Sequence, residues 1–233
     1  MIKKKKIIVT GGNGRFAKVL KKKNKKYKIF FPDKNQLNIL KVDTIKKYVK
    51  KIKPDYLLHC AALSAPMSLH DNNIQKSINI NIIGTSNVVK ICSEHNIKII
   101  YFSTAYVYDG ISGNHKEKDP VHPLNNYAWS KLGGECAVQL YKNSLILRLM
   151  MCEKPFQHEY AFDDIKTNFL FHEDVAELLP KIINRSGILN IGGKLQTVYN
   201  FAKTSNKNVK KISGKKLYPS NLSMNLNRLK KII

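Results

Sequence analysis

The chain has 233 residues, which is enough for one large α/β domain or for a domain with a small appended lobe. Its 43% of hydrophobic residues is ordinary for a globular protein, and no apolar run approaches the ~20 residues that a membrane-spanning helix requires. The net charge of +25 comes mainly from lysines scattered along the chain. This pattern favours a solvated basic surface that attracts phosphorylated ligands, and it argues against specific nucleic-acid recognition.

The N-terminus and the cysteines indicate the compartment. The basic start at residues 1–6 is followed by an apolar stretch that is too short for a signal peptide, so we expect a cytoplasmic protein without membrane association. The four cysteines lie far apart and include no C-x-x-C pair, which is typical of free thiols. We therefore predict neither a metal site nor a disulfide framework.

Strands and helices are predicted to alternate along residues 1–148. The predicted strands are residues 6–9, 27–31, 56–60, 98–103 and 144–148. The predicted helices are residues 16–22, 43–51, 74–95 and 127–141. This alternation predicts an α/β fold with a doubly wound parallel (Rossmann) sheet, whose ligands bind beyond the carboxyl ends of the strands.

The pattern loosens after Arg148. Residues 149–168 resemble a loop-rich insertion, and a helix at 173–184, a strand at 189–191 and a weak closing helix at 222–232 follow. We interpret residues 1–148 as an NAD(P)-binding domain and residues 149–233 as a small, shortened substrate lobe, with residues 173–192 returning to the Rossmann core. Asp174 is interpreted as a helix-start residue rather than as a catalytic acid.

A glycine-bearing turn, Thr10-Gly11-Gly12-Asn13-Gly14-Arg15-Phe16-Ala17, follows the first predicted strand and opens the first predicted helix. Its glycines permit a tight turn and let backbone N–H groups approach a pyrophosphate at the helix N-terminus. The alternative interpretation is a plain β-turn-α connection.

A second motif, Tyr127-Ala128-Trp129-Ser130-Lys131, lies on a predicted helix downstream of Ser103-Thr104. Tyr127 and Lys131 are four residues apart and share one helix face. A neighbouring ammonium would lower the tyrosine pKa from its usual value of about 10, which would make the phenol a proton donor near neutral pH.

These motifs resemble the extended short-chain dehydrogenase/reductases, whose fingerprint is T-G-x-x-G-x-x-G/A with a downstream Tyr-x-x-x-Lys. Residues 54–62 are similar to the family's third strand, and residues 81–88 to its helix with an Asn near the active site. Residues 101–110 and 123–135 most resemble the dTDP-4-dehydrorhamnose reductases within that family. The resemblance implies NAD(P)H-dependent reduction of the C4 keto group of a nucleotide-activated 4-keto-6-deoxy sugar.

The resemblance also implies roles for individual residues. Tyr127 would donate the proton, Lys131 would lower its pKa and contact the ribose, and Thr104 would hydrogen-bond the substrate carbonyl. Asn81 would support Lys131. The implied substrate contacts are Ser103, Thr104 and Tyr127, and the implied cofactor contacts are Gly11, Asn13, Gly14, Arg15, Phe16, Asn38, Ala61, Ala62 and Lys131.

Two departures bear on the reaction and the cofactor. Ala105 and Tyr106 follow Thr104 where sugar-nucleotide 4,6-dehydratases carry two carboxylates, which argues against dehydration, although the reductases also commonly have an Asp at position 105. The end of the second strand offers both Asp33 and Lys34, and Arg15 is a candidate partner for a 2′-phosphate. NADPH is favoured and NADH remains open.

Three other functions remain open at this point. A nucleotide-sugar epimerase with tightly bound NAD would use the same motifs, and a non-catalytic dinucleotide-binding subunit would use the same fold. The third is nucleic-acid binding through the lysine surface, for which a steep salt dependence without sequence preference would indicate nonspecific binding. The expected partner is the nucleotide-sugar substrate, and a homodimer is left open.

Overall fold

Twelve strands lie in the part of the chain that the computed structural model describes, which comprises residues 4–24, 26–215 and 217–233. Residues 1–3, which belong to the basic start used to predict the compartment, lie outside the described residues. The strands are β1 (Lys6–Thr10), β2 (Lys28–Phe30), β3 (Tyr56–His59), β4 (Lys98–Phe102), β5 (Ser144–Arg148), β6 (Met151–Cys152), β7 (Tyr160–Phe162), β8 (Lys166–Thr167), β9 (Leu170–Phe171), β10 (Gly187–Asn190), β11 (Gln196–Thr197) and β12 (Lys210–Ile212).

The helices connect these strands in the order that the sequence predicts for the first half of the chain. They are α1 (Arg15–Lys23), α2 (Val42–Ile52), α3 (Leu69–Asn72), α4 (Ile74–Ser77), α5 (Gly84–Glu94), α6 (Asn126–Gln139), α7 (His172–Ile182), α8 (Val198–Lys203) and α9 (Asn227–Lys230). A π-helical segment, Ile78–Ile83, joins α4 to α5, and a 3₁₀ turn, Ala105–Val107, follows β4.

Six parallel strands form the central sheet in the order β2-β1-β3-β4-β5-β10. The chain leaves β1 for β2 on one side and then returns to β3 on the other side of β1. The strand order therefore reverses between β1 and β3, and such a switch point opens a crevice at the carboxyl ends of the two strands. The predicted doubly wound α/β fold is confirmed.

The central strands are buried on both faces, which explains their nearly continuous apolar sequences. Ile7 and Val9 of β1 point into one core with α1 and α7, whereas Ile8 points into a second core with α2 and α5. Alternate residues of one strand thus fill two different cores, as the two-residue period of a strand requires.

The C-terminal lobe has its own small core and three two-stranded sheets, which pair β11 with β8, β12 with β7 and β6 with β9. The core includes Val107 and Tyr108 from the segment after β4, together with residues such as Phe156, Val198 and Leu222. α7 and β10 instead lie against the central sheet, where β10 pairs with β5. None of the helices in the described residues is long and apolar enough to cross a membrane.

Two predicted helices differ from the structure. The helix predicted for residues 74–95 is divided into α4, the π-helical segment and α5. The closing helix predicted for residues 222–232 is wrong for most of its length, because only Asn227–Lys230 is helical. The preceding segment is held extended: Met224 donates its N–H to the Asn168 side chain at 2.8 Å, and Asn225 donates its N–H to the His115 carbonyl at 2.8 Å.

Candidate active site

The glycine turn lies at the switch point between β1 and β3. Gly11 has φ +69°, and a Cβ at this position would come within 3.1 Å of the Ala61 Cα at the end of β3. The Gly14 N–H donates to the Gly11 carbonyl at 2.8 Å and closes the turn. A side chain at Gly11 would be strained both by the left-handed backbone and by this close approach.

The start of α1 fits the pyrophosphate of a dinucleotide. Gly14 caps α1 without a side-chain hydrogen bond, and no acidic residue lies in the first turn. The first N–H groups of the helix therefore lack a side-chain acceptor at the end where the helix dipole favours an anion. This arrangement fits NAD(P), which supplies or accepts a hydride when bound.

The other residues predicted to contact the cofactor have different environments. Asn13 and Arg15 are exposed, and Arg15 forms an ion pair with Glu153 at 2.8 Å. The Phe16 ring is buried 5.0 Å from the Phe102 ring, so its side chain belongs to the core and only its backbone is available to a ligand. The Asn38 side chain accepts the Leu40 N–H at 3.0 Å within a turn.

The carboxylate of Asp33, which follows β2, accepts hydrogen bonds from the backbone of its own turn. One carboxylate oxygen of Asp33 accepts the N–H groups of Asn35 and Gln36 at 2.8 and 2.9 Å. Lys34 is exposed beside it. Asp33 is therefore less available to ribose hydroxyls than its position in the sequence suggests.

Thr104 and Tyr127 meet at the carboxyl end of β4. Asn125 caps α6 by accepting the Ala128 N–H at 2.9 Å, which places Tyr127 in the first helical turn. The Thr104 side chain lies close enough to the Tyr127 phenol to lower its pKa. Burial of the phenol has the larger effect and raises the pKa of Tyr127 to about 12.

Lys131 shares the helix face of Tyr127, but its ammonium lies against the Tyr101 ring. Lys131 is buried, and its Nζ lies 4.1 Å from the centre of the Tyr101 ring. Burial lowers the pKa of Lys131 to about 7, against the opposing effects of Cys60 and Glu135. Burial of the phenol raises the pKa of Tyr127, and the expected effect of Lys131 on this pKa stays a prediction.

Ser103, which follows β4, is buried and bound to a carboxylate. Its hydroxyl donates to Glu135 at 2.7 Å, and Glu135 forms a buried ion pair with Arg148. The Ser103 side chain is 5% exposed. Its geometry therefore does not support the predicted substrate contact.

Asn81 supports α6 rather than Lys131 itself. Its side-chain amide donates to the Ser130 hydroxyl at 2.8 Å and to the Leu63 carbonyl at 2.9 Å, and its oxygen accepts the Leu63 N–H at 2.8 Å. These bonds tie the loop after β3, with Ala61 and Ala62, to the residue before Lys131.

Aromatic side chains that the sequence analysis did not select surround Tyr127. Its ring lies 5.2 Å from the His70 ring and 6.5 Å from the Tyr106 ring, and Tyr106 in turn stacks with Tyr218 at 6.2 Å. Tyr106 could have been selected because it follows Thr104 by two residues. His70 carried no such signal, since it lies on the short helix α3 within a segment without a periodic pattern.

Beneath the crevice, a buried imidazole links three elements. His59 of β3 hydrogen-bonds Thr10 of β1 at 2.7 Å and Thr85 of α5 at 3.0 Å. Burial, together with the charge of Lys131, lowers the pKa of His59 to about 3, so this histidine is neutral. Among the residues that the structure describes, no group of three or more His, Cys, Asp or Glu side chains is placed to hold a metal ion.

The doubly wound sheet, the glycine turn at its switch point and the Tyr-x-x-x-Lys helix define an extended short-chain dehydrogenase/reductase. Within this class, the family model of the RmlD substrate binding domain matches residues 5–152, and the chain belongs to that family. The resemblance seen in the sequence is thereby confirmed.

Two kinds of curated relative match the chain at similar identity. A dTDP-4-dehydrorhamnose reductase from Aggregatibacter actinomycetemcomitans is 30% identical over 147 residues, which are 61% of this chain and 50% of that protein. The methionine adenosyltransferase 2 subunit beta of Xenopus laevis is 30% identical over 152 residues, which are 61% of this chain and 45% of that protein. The chain therefore spans about half the length of the curated relatives that it matches.

A solved structure extends the similarity of the fold beyond this region. The dTDP-4-dehydrorhamnose reductase of Bacillus anthracis, in complex with NADP, has a TM-score of 0.86 and 24% sequence identity to this chain. The match covers 99% of this chain and 92% of that chain. It establishes that both proteins share the Rossmann core and the small C-terminal lobe.

Proposed function

We propose that the chain uses NAD(P)H to reduce the C4 keto group of a nucleotide-activated 4-keto-6-deoxy sugar, with Tyr127 as the proton donor. The proximity of the Thr104 side chain to the Tyr127 phenol, at the same strand edge as the glycine turn, carries this proposal. One carbonyl oxygen could then contact both hydroxyl groups. Family membership and the similarity to a dTDP-4-dehydrorhamnose reductase support the choice of substrate class.

Different residues of this chain would bind the cofactor and transfer the proton. The backbone of the Gly11–Gly14 turn and the start of α1 would hold the pyrophosphate. Thr104 would hydrogen-bond the substrate carbonyl oxygen, and Tyr127 would give its proton to that oxygen as the carbonyl carbon accepts hydride. The ketone becomes an alcohol, and the phenolate left on Tyr127 would be stabilised by the Lys131 ammonium.

Lys131 completes the site only if its ammonium acts on Tyr127. With a pKa of about 12, the Tyr127 phenol is fully protonated at neutral pH but is a weak acid. We propose that Lys131 leaves the face of Tyr101 during the reaction and lowers this pKa, because an adjacent cation stabilises a phenolate. The same ammonium would then be available to ribose hydroxyls.

NADPH is the cofactor that we favour. The carboxylate of Asp33 is engaged by two N–H groups of its own turn, whereas Lys34 and Arg15 supply positive charge near the cofactor end of the crevice. A 2′-phosphate would be attracted by these cations, and NADH would gain little from Asp33. NADH is the second candidate.

A non-catalytic dinucleotide-binding subunit is the second candidate function. A methionine adenosyltransferase 2 subunit beta is as similar to this chain, in percentage identity, as the reductase is, and this similarity supports the second candidate. The position of Lys131 against Tyr101 also agrees with a protein that binds without turnover.

The deciding experiment measures oxidation of NADPH and of NADH with dTDP- and UDP-linked 4-keto-6-deoxyglucose. We expect wild-type turnover, and a loss of about 10²- to 10⁴-fold in Tyr127→Phe, the range over which a positioned proton donor acts. Tyr141→Phe is the matched control, because Tyr141 follows the other end of α6. Dinucleotide binding without turnover of either sugar would overturn the reductase and favour the subunit, and NAD retained through purification would favour an epimerase.

A further inference from the structure

We infer that His70 determines substrate specificity by donating a hydrogen bond from its Nε2 to the C3 hydroxyl of the keto sugar that Tyr127 protonates. This inference rests on the proposed reductase function and extends it by naming the group that is recognised beside the carbonyl.

His70 is placed against Tyr127 by two helices. It lies on α3, is 1% exposed, and meets the Tyr127 ring edge to face, with the ring centres 5.2 Å apart. Asp71, the next residue, accepts a hydrogen bond from the Asn126 side chain at the start of α6 at 2.7 Å. The imidazole is therefore fixed beside the phenol and does not lie in a mobile loop.

The partner of Nδ1 determines which ring nitrogen carries the proton. Nδ1 lies 2.7 Å from the Ser77 hydroxyl, and this hydroxyl makes no other hydrogen bond within the described ranges. The Ser77 proton must then point at Nδ1, because a hydroxyl without another acceptor donates where it can. Burial of the ring lowers the pKa of His70, with Asp71 opposing, so the ring is neutral and its remaining proton is on Nε2.

The Nε2–H group has no acceptor. The atom is buried and forms no hydrogen bond among the residues that the structure describes. A buried donor without a partner is unfavourable and calls for an explanation, and an acceptor supplied by a ligand is one such explanation. An oxygen of the substrate, bound with its carbonyl at Tyr127, would supply one.

The chemistry of the proposed substrate identifies that oxygen. In a 4-keto-6-deoxy hexose, C3 and C5 flank the reacting carbon, and only C3 carries a hydroxyl. A donor that lies beside the proton donor to the C4 oxygen is therefore matched to the C3 hydroxyl. Sites built to pair a substrate hydroxyl discriminate strongly against analogues that lack it.

The chain contains a matched control histidine. His95, at the C-terminal end of α5, also has a buried Nε2 without a partner. It lies just before β4, at the amino end of the sheet, and therefore far from the crevice. Any effect of an unpaired imidazole on folding alone should appear at both positions.

The first test compares dTDP-4-keto-6-deoxyglucose with its 3-deoxy analogue as substrates. We expect His70→Phe, which keeps a ring against Tyr127, to lower kcat/KM for the hydroxylated sugar by about tenfold or more and to leave the 3-deoxy sugar nearly unaffected. His70→Gln, which retains an N–H donor, should recover part of the loss, and His95→Phe should change neither substrate. Equal loss on both sugars, or no loss, would overturn the inference.

The second test is independent of turnover. In protein labelled with ¹⁵N-histidine, the Nε2 resonance of His70, assigned with His70→Gln, should shift when dTDP-4-keto-6-deoxyglucose is added together with NADP⁺, which has no hydride to transfer. The His95 resonance should not move. An unchanged His70 resonance with calorimetrically demonstrated sugar binding would overturn the inference and leave the reductase proposal intact. A wild-type protein that neither binds nor reduces the sugar would overturn both.

Discussion

At the residue scale, Lys131 occupies the last position of the Tyr-x-x-x-Lys motif, and its ammonium is buried against the Tyr101 ring. A cation–π contact contributes about 0.5–2 kcal/mol. This contribution does not offset the burial of the charge, since the pKa of Lys131 falls from its usual 10.5 to about 7. The buried charge of Lys131 therefore destabilises the fold, as perturbed charges at functional sites often do.

We predict that Lys131→Met is more stable than the wild type at and below about pH 7. The folded pKa lies below the unfolded one, so between the two values the unfolded chain binds more protons and wild-type stability rises with pH. The cost of the charge is complete below the folded pKa of about 7 and disappears towards 10.5. Urea unfolding at several pH values should show the advantage of the variant shrinking as the pH rises.

Lys142→Met is the control for that measurement, because Lys142 is exposed. An advantage of Lys131→Met that does not depend on pH would contradict the explanation, since it would then arise from packing rather than from the buried charge.

The sequence predicted which residues meet at the crevice better than it predicted how they meet. Thr104 and Tyr127, both selected from the sequence, lie close together, because a strand end and a capped helix start are local features that place them at the same edge of the sheet. The direction of the Lys131 side chain was not predictable, since a long side chain has many rotamers and its choice depends on Tyr101, which is distant in sequence. His70 was not selected, because its role depends on its contacts with both Ser77 and Tyr127, which the sequence alone does not show.

At the scale of elements, a buried ion pair joins α6 to β5. Glu135 and Arg148 are both almost completely buried, and they also bind Ser103 at the end of β4 and the Tyr108 hydroxyl after it. This network fixes the active-site helix relative to two neighbouring strands. Glu135 also raises the pKa of Lys131, against the effect of burial.

We predict that Glu135→Ala lowers the free energy of unfolding by about 3–5 kcal/mol, because it leaves the Arg148 guanidinium buried without its partner. Glu177→Ala is the matched control: Glu177 pairs with Lys23 at 2.8 Å on the surface, and its loss should be barely measurable. Chemical denaturation monitored by the single tryptophan, Trp129, measures both variants. Equal effects in the two variants would contradict the role of the buried pair.

The prediction of helices and strands was correct where the local sequence pattern determines the structure, and it was wrong where tertiary contacts determine it. The strands of the sheet were predicted because short runs such as Ile7-Ile8-Val9 are buried on both faces. The segment 222–226 has an apolar spacing that suits a helix, but its backbone bonds Asn168 and His115 instead. The short strands of the lobe, such as β6 and β11, are two residues long and carry no periodic signal.

At the scale of the molecule, the net charge of +25 should destabilise the compact state through repulsion among lysines. We predict that the melting temperature rises when ionic strength increases from about 0.01 M to about 0.15 M, since the Debye length falls from about 30 Å to about 8 Å.

The affinity for NADPH should fall over the same range of ionic strength, because the positive field that attracts its phosphates is screened. Thermal melts and fluorescence titrations in sodium chloride measure the two effects, and a salt-independent affinity would contradict a role of the field in binding.

The domain division at residue 148 remains a proposal. α7 and β10 lie after this boundary but belong to the central sheet and its core. A chain that ended at residue 148 would leave the edge of β5 and the α7-facing side of α1 uncovered. We therefore expect the two parts to unfold together.

The core of the C-terminal lobe has a consequence for how new substrate preferences could arise. Ala105 and Val107, one and three residues after Thr104, are themselves members of that core, together with Met150, Leu222 and Met224. An exchange of the lobe for that of a relative would therefore disturb the packing beside Thr104. Under the proposed function, we expect a change of sugar preference to arise from substitutions within the lobe rather than from its exchange as a unit.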